Sequence, residues 1–323
     1  MIDEPVVKST SLDKMGYTVE RLSKDNLSDI TKLYADIHSK PHPSSYFQKK
    51  YDTAYSGAEY IGHIAYNKHH VPIAYYGLIP CFIKYGDRLI LSAQSADTMT
   101  HPKYRYKGLF VQLANMTIEL SRQAGIKLIF GMPNQVALHG FLIKLQWQLT
   151  ETMNHFVIPV RFVPFEKIAS KIPVIKGFYH VYKQSILKKY MLPQHGINNS
   201  LLCEGYGGIY RDDEYLDYKT YNLTYVLKIG ETLVWAKITN KLIIGDINVN
   251  ENDFDEVIKA LKKIAIKLGL TSVEFHTSHA TKMWHLFAER YNPKLSLHIL
   301  FKDLGADIPL DKIKFVYADA EVF

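Results

Sequence analysis

The residues Thr100-His101-Pro102-Lys103-Tyr104-Arg105-Tyr106-Lys107-Gly108-Leu109-Phe110 bring cations, a glycine and the start of an apolar-striped segment into one short stretch. A loop that enters a helix offers backbone N–H groups with no intrahelical acceptor, beside the positive end of the helix dipole. Such a loop is a seat for phosphate or pyrophosphate. Gly108 lets the backbone approach the phosphates, Lys103, Arg105 and Lys107 supply charge, and Arg105 can also fix the shape of the loop. An isolated Arg-x-x-Gly recurs by chance. A strand before it, a helix after it and the right distance to the next strand make it specific.

Other chemistries lack their residues. The chain has no Walker loop, no G-x-S-x-G and no C-x-x-C pair. His276, His279 and His285 share no helical face and have no evident fourth ligand, so no metal centre is expected. The 23 tyrosines and 15 phenylalanines are scattered among the lysines. They form no stacking platform, and no nucleic-acid partner is expected.

The elements that must position the loop follow from periodicity. Tyr17–Leu22 alternates as a strand, and Asp25–His38 places Leu27, Ile30, Leu33, Tyr34 and Ile37 at helical spacing behind Ser23. A short helix is expected over Ser44–Tyr51, then a three-stranded meander over Glu59–Tyr66, Val71–Lys84 and Arg88–Thr100. Gly108–Gln123 has Leu109, Leu113, Met116 and Leu120 on one face and predicts a substantially buried helix, stopped by Gly125. A short strand over Lys127–Phe130 leads to Asn134, which can cap a helix running to about Leu145, and Trp147–Val160 returns to β character.

From Val163 to about Asn199 the chain is Lys-rich and interrupted by Pro164, Pro173 and Pro193, which reads as a linker with one helix over Phe178–Tyr190. Its basic residues Lys183, Lys188 and Lys189 suggest a solvated helix bridging two domains, with an acidic partner or membrane surface as the alternative. Beyond it, a helix over Asp212–Tyr221 precedes three strands, then helix Asp253–Leu268, strand Ser272–Thr277, helix His279–Tyr291 and strand Leu295–Lys302. The order of the first half is repeated, so an internal duplication is plausible. The expected division is a first domain over 1–162, a basic helical linker over 163–200 and a second domain over 201–323.

Composition agrees with a globular α/β protein. The 323 residues are 47% hydrophobic, which is ample for two cores, and the net charge of +7 suits anionic ligands without choosing among them. Cys81 and Cys203 are far apart, so no disulfide framework is expected. The polar N-terminus and the lack of a long apolar run predict a cytoplasmic protein without stable membrane insertion.

On the motif Arg105-Tyr106-Lys107-Gly108 with His101-Pro102 before it, the chain resembles the GNAT superfamily of acyl-coenzyme A N-acyltransferases. Gly131-Met132-Pro133-Asn134, Gly140-Phe141 and Leu145-Gln146-Trp147 extend the resemblance over Tyr17–Val160. The chain departs from the pattern at Phe110, where a small residue is usual, at Gln146, where glycine is usual, and at Leu142, where a tyrosine acid often stands. The resemblance implies a mixed α/β (α+β) sheet of GNAT type, two such domains in tandem, and acetyl-CoA or another acyl-CoA as co-substrate without a metal. It implies cofactor contacts from Met99, Thr100, Arg105, Tyr106, Lys107, Gly108, Leu109, Phe110 and Asn134. Asp97, or second His101, is then the base for the acceptor amine, and either His139 substitutes for the missing acid or the thiolate leaves unassisted.

The acceptor implied is the primary amine of a small molecule, with an amino sugar or nucleotide sugar first. An aminoacyl-tRNA dependent transferase of cell-wall type and a non-catalytic acyl-CoA module are the alternatives. Oligomer formation is open. In the second half, Val249-Asn250-Glu251-Asn252-Asp253-Phe254 stands where the phosphate loop would be, and its acids would repel a pyrophosphate.

Overall fold

The computed structural model describes residues 16–38, 42–160 and 173–323; the N-terminal stretch before Gly16 and the first part of the expected linker, 163–172, lie outside the described residues. The chain divides into two compact units. The first runs up to Phe82 and adds Ile90–Gln148 and Phe301–Ala306; the second takes Ile83–Leu89, Leu149–Leu300 and Asp307–Phe323.

The first unit contains β1 (Tyr17–Arg21), α1 (Leu27–His38), α2 (Ser44–Lys50), β2 (Gly62–Asn67), most of β3 (Pro72–Tyr85) and β4 (Arg88–Thr100), α3 (Leu109–Gln123), β5 (Leu128–Gly131) and α4 (Gln135–His139). The sheet order is β1-β2-β3-β4-β5, antiparallel from β1 to β3 and parallel between β4 and β5. The parallel step requires a crossover, which α3 supplies. Strand β3 is buried continuously from Pro72 to Cys81 because helices cover both of its faces. Tyr75 meets Tyr51 beyond α2 on one face, and Tyr76 meets Phe110 of α3 on the other.

The second unit contains all but the first residue of β6 (Gln148–Pro159), α5 (Pro173–Leu187), β7 (Met191–Leu192), β8 (Gly208–Ile209), α6 (Asp213–Tyr218), β9 (Tyr225–Ile229), β10 (Thr232–Ile238), β11 (Leu242–Ile247), α7 (Glu251–Lys267), β12 (Ser272–Thr277), α8 (Lys282–Ala288) and most of β13 (Lys294–Asp303). Its sheet runs β13-β6-β12-β11-β10-β9-β7, with β11 and β12 parallel, while β8 pairs with Ile83 and Lys84. The core gathers Phe156 and Phe275 of the sheet against Phe254 of α7 and Phe287 of α8, while Trp235 packs on Phe323. Below it, Arg211 is fully buried between Asp246, reached by Nη1, and Asp319, 2.7 Å from Nη2.

Three elements differ from the sequence reading. The helix expected to run to Leu145 is α4 followed by a π-helical turn, Gly140–Lys144, in which Leu145 N donates to Gly140 O at 3.1 Å. The linker helix starts at Pro173, where the missing amide is tolerated in a first turn. It is also docked: the hydroxyls of Tyr179 and Tyr182 donate to Leu268 O and Lys267 O beyond and at the end of α7, and Lys183 Nζ donates to Ile238 O. Finally, Met191 and Leu192, read as linker, pair with β9 as an edge strand. Two residues are too few to show an alternating pattern.

Candidate functional site

Strands β4 and β5 stay paired only from Ser92↔Leu128 to Ser95↔Gly131, while β4 continues to Thr100. Past Ser95, no residue of β5 stands opposite β4. The 96–100 segment, about 17 Å long at roughly 3.3 Å per residue, therefore keeps one edge without a strand partner among the described residues. Its backbone turns at Asp97, whose φ of 48° is left-handed. Met99 is buried and Thr100 half-buried at the far end.

This open edge leads into the basic loop. His101 N donates to Ile73 O at 2.8 Å and the His101 ring accepts from Lys103 N at 3.3 Å, so His101 holds the loop's shape. Arg105 Nε donates to Thr100 O at 3.4 Å, which ties the loop back to β4 and leaves most of the guanidinium in solvent. Tyr106 and Gly108 both have positive φ, 64° and 80°, on either side of Lys107. Such alternation curls successive amides into a concave nest. The amides of Leu109, Phe110 and Val111 have no acceptor one turn earlier and extend that nest along the axis of α3. Lys103, Arg105, Tyr106, Lys107 and Gly108 are all exposed, so an anion can reach them.

Phe110 leaves the loop and packs on Phe141 and Tyr76, with ring centroids 5.4 and 6.0 Å away. Its bulk lies in the aromatic layer with Trp147, whose ring is 4.8 Å from that of Phe141. Gln146 has φ of 53°, a conformation that glycine adopts without strain. Asn134 caps α4, its side-chain oxygen accepting from Val136 N and Ala137 N at 3.1 and 3.0 Å. His139 is exposed at the end of α4 and Leu142 is half-buried in the π-helical turn.

Asp97 has partners that its sequence neighbours do not announce. Lys50 Nζ lies 2.7 Å from Asp97 Oδ2, with side-chain exposures of 1% and 9%, and Tyr51 donates to the same oxygen at 2.8 Å. Burial, then the Asp97 charge, push the Tyr51 hydroxyl well above the usual phenol range, so it stays protonated and donating. The signal for these residues was present: Phe47, Lys50 and Tyr51 are spaced i, i+3, i+4 and share the buried face of α2 and its end.

The second unit holds a cluster that spacing along the chain does not reveal. His155 of β6 stands opposite His276 of β12, their rings stacked 3.9 Å apart, and Glu274 lies beside them on the same face. One atom from each lies within 4.8 Å of the others. Glu274 accepts from His155 at 3.1 Å and from Lys241 and Ser272 at 2.8 Å, and His276 Nδ1 is 2.6 Å from Ser296 Oγ. The rings are within 12° of parallel, so their in-plane lone pairs do not converge on one point. Burial, helped by His155, lowers the His276 pKa to about 3. Burial alone would raise that of Glu274, but hydrogen bonds from His155, Lys241 and Ser272 bring it down to about 2.

Compared by sequence, the chain matches no family model and no curated protein. Its structure is similar to a protein of unknown function from Enterococcus faecalis V583, described as a "probable N-acyltransferase", at a TM-score of 0.60 and 13% identity over 89% of this chain and 73% of that one. It is also similar to GCN5-related N-acetyltransferases from Kribbella flavida (TM-score 0.54, 11% identity, 90% and 72% covered) and Anabaena variabilis ATCC 29413 (TM-score 0.54, 13% identity, 90% and 73% covered). At these identities the likeness speaks for architecture, and it spans most of the chain: the protein has the mixed α/β fold of the GCN5-related N-acetyltransferases.

Proposed function

We propose that the first unit binds an acyl-CoA and passes its acyl group to a primary amine. The observation that carries this reading is the continuity between the open edge of β4 at 96–100 and the basic, amide-lined loop at 105–108 that begins α3. A pyrophosphate fits the loop, and an extended amide-bearing arm fits a strand edge with free hydrogen-bonding groups. In the reaction the amine nitrogen forms a bond to the thioester carbonyl carbon, the C–S bond breaks, and the thiol leaves with a proton. Acetyl is our first donor group. A small anionic acceptor such as an amino sugar or its nucleotide suits the net charge of +7.

The second unit supports a tandem reading, since it too has a meander, a helix and a parallel strand, with β11 paired to β12 from Leu242↔Val273 to Ile244↔Phe275. Its helix α7 begins with Glu251 and Asp253 in the first turn, which opposes an anion there. We assign the cofactor to the first unit alone.

Calorimetric titration with acetyl-CoA tests the reading. The wild-type chain is expected to bind, and Arg105→Ala combined with Gly108→Trp to abolish binding. Equal binding by both would refute the assignment of the loop. Product formation across an amine panel then separates an enzyme from a binding module.

A further inference from the structure

We propose that the buried Lys50–Asp97 ion pair, braced by Tyr51, is a positioning device that holds the turn of β4 so that its amides face the acyl carbonyl. The inference rests on the acyl-transfer reading above and adds residues of α2 and its end to the site. Asp97 stands two positions beyond the last β4/β5 pair, Ser95↔Gly131, at the place where the strand edge opens. Its left-handed φ of 48° is uncommon outside glycine, and aspartate is among the side chains that take it most readily, more so where its carboxylate is held. That hold is visible: Lys50 at 2.7 Å and Tyr51 at 2.8 Å hold one carboxylate oxygen, and Lys50 is 1% exposed.

The same contacts decide what Asp97 does. Both donors meet at one carboxylate oxygen, Oδ2, in a place almost closed to solvent. Asp97 therefore serves as the anchor of the turn. Backbone donors aimed at a developing oxyanion need only geometry, and the anchor supplies it. Tyr51 adds direction as well as strength, because a hydroxyl and an ammonium on one oxygen fix the carboxylate's rotation.

Hydrogen exchange read by mass spectrometry, with and without acetyl-CoA, tests this on the full chain. In the wild type, acetyl-CoA should slow exchange at both 97–100 and 105–111 by about tenfold or more. In Lys50→Met the protection at 105–111 should persist while that at 97–100 falls below about twofold. Lys50→Arg should restore part of it. With an amine acceptor, Lys50→Met and Asp97→Asn should lower kcat by roughly 10- to 100-fold, leave KM for acetyl-CoA within about twofold, and keep the shape of the pH–rate profile.

Protection at neither segment of the wild type would overturn the acyl-CoA reading itself. Protection at 105–111 with 97–100 unchanged in Lys50→Met would overturn the positioning role alone. Loss of the acidic limb of the pH profile in Asp97→Asn would make Asp97 a base and refute the proposal. Should Lys50→Met fail to fold, the paired variant Lys50→Met with Asp97→Leu removes both charges together, a change that buried ion pairs often survive. It is expected to fold, to keep protection at 105–111 and to lose it at 97–100; full protection at 97–100 there would also overturn the proposal.

Discussion

Gly140 leaves the space that Phe110 fills: a Cβ built on Gly140 would stand 2.9 Å from Phe110 Cε1. The bulky residue at the start of α3 is thus accommodated by a missing side chain at the start of the π-helical turn. Gly140→Ala would gain roughly 0.5–1 kcal/mol of helical preference but lose about 1–3 kcal/mol to overpacking. A net loss of about 1 kcal/mol is expected from urea unfolding, and Phe110→Leu should recover most of it. A stabilised Gly140→Ala would mean that the ring moves aside freely.

Gly108 poses the opposite problem. No atom lies within 4 Å of a Cβ built there, so space is available, but its φ of 80° is left-handed. Gly108→Ala should cost about 1–2 kcal/mol from backbone strain alone and weaken acyl-CoA binding, whereas Gly108→Asn should cost less in stability. Thermal unfolding of both variants checks the order; Asn and Ala behaving alike would exclude backbone strain as the cause.

Much of this loop was legible in the sequence, because glycine, cations and an amphipathic helix start leave local signals. The basic loop, helix α3 and the flanking strands were read within a few residues of their bounds. Lys50 was not read as part of the site. A lysine in a short helix is ordinarily solvated, and only the i, i+3, i+4 spacing with Phe47 and Tyr51 marked it as inward. The His155–Glu274–His276 cluster was invisible for a different reason: strand register between distant segments assembles it, and no spacing along the chain encodes that register.

A buried histidine, His63, and a half-buried one, His276, set an acid-side limit on stability. Burial lowers the pKa of His63 to about 4 and that of His276 to about 3, below the ordinary value of 6.5. The folded state keeps both neutral while the unfolded chain binds their protons, so stability is complete above about pH 6.5 and falls as pH drops toward 4 and 3. Glu274, held down to about 2, adds a further loss below its ordinary 4.5. Urea unfolding between pH 4 and 7 should show this decline, and His276→Gln should flatten it. A flat wild-type profile would mean that these rings are hydrated in the folded state.

The Arg211 network predicts a large effect from one substitution. Arg211→Leu would leave Asp246 and Asp319 buried without their cation, and both are fully shielded from solvent. The expected loss is about 3–5 kcal/mol, readable as a lower urea midpoint with an unchanged slope. Replacing the carboxylates as well, with Asp246→Asn and Asp319→Asn, should return part of it. A loss below about 1 kcal/mol would place the network outside the cooperative core.

The first unit includes Phe301–Ala306, although its preceding segment ends at Gln148. During synthesis, about 150 residues must follow before that segment leaves the ribosome, a delay of roughly 8–30 s at about 5–20 residues per second. The half of the protein made first therefore waits for nearly all of the second half before its own chain is complete. Until then the outer edge of β5 lacks its neighbour from the end of β13, and a nascent chain halted in that interval exposes an unpaired strand to chaperones and to other copies of itself.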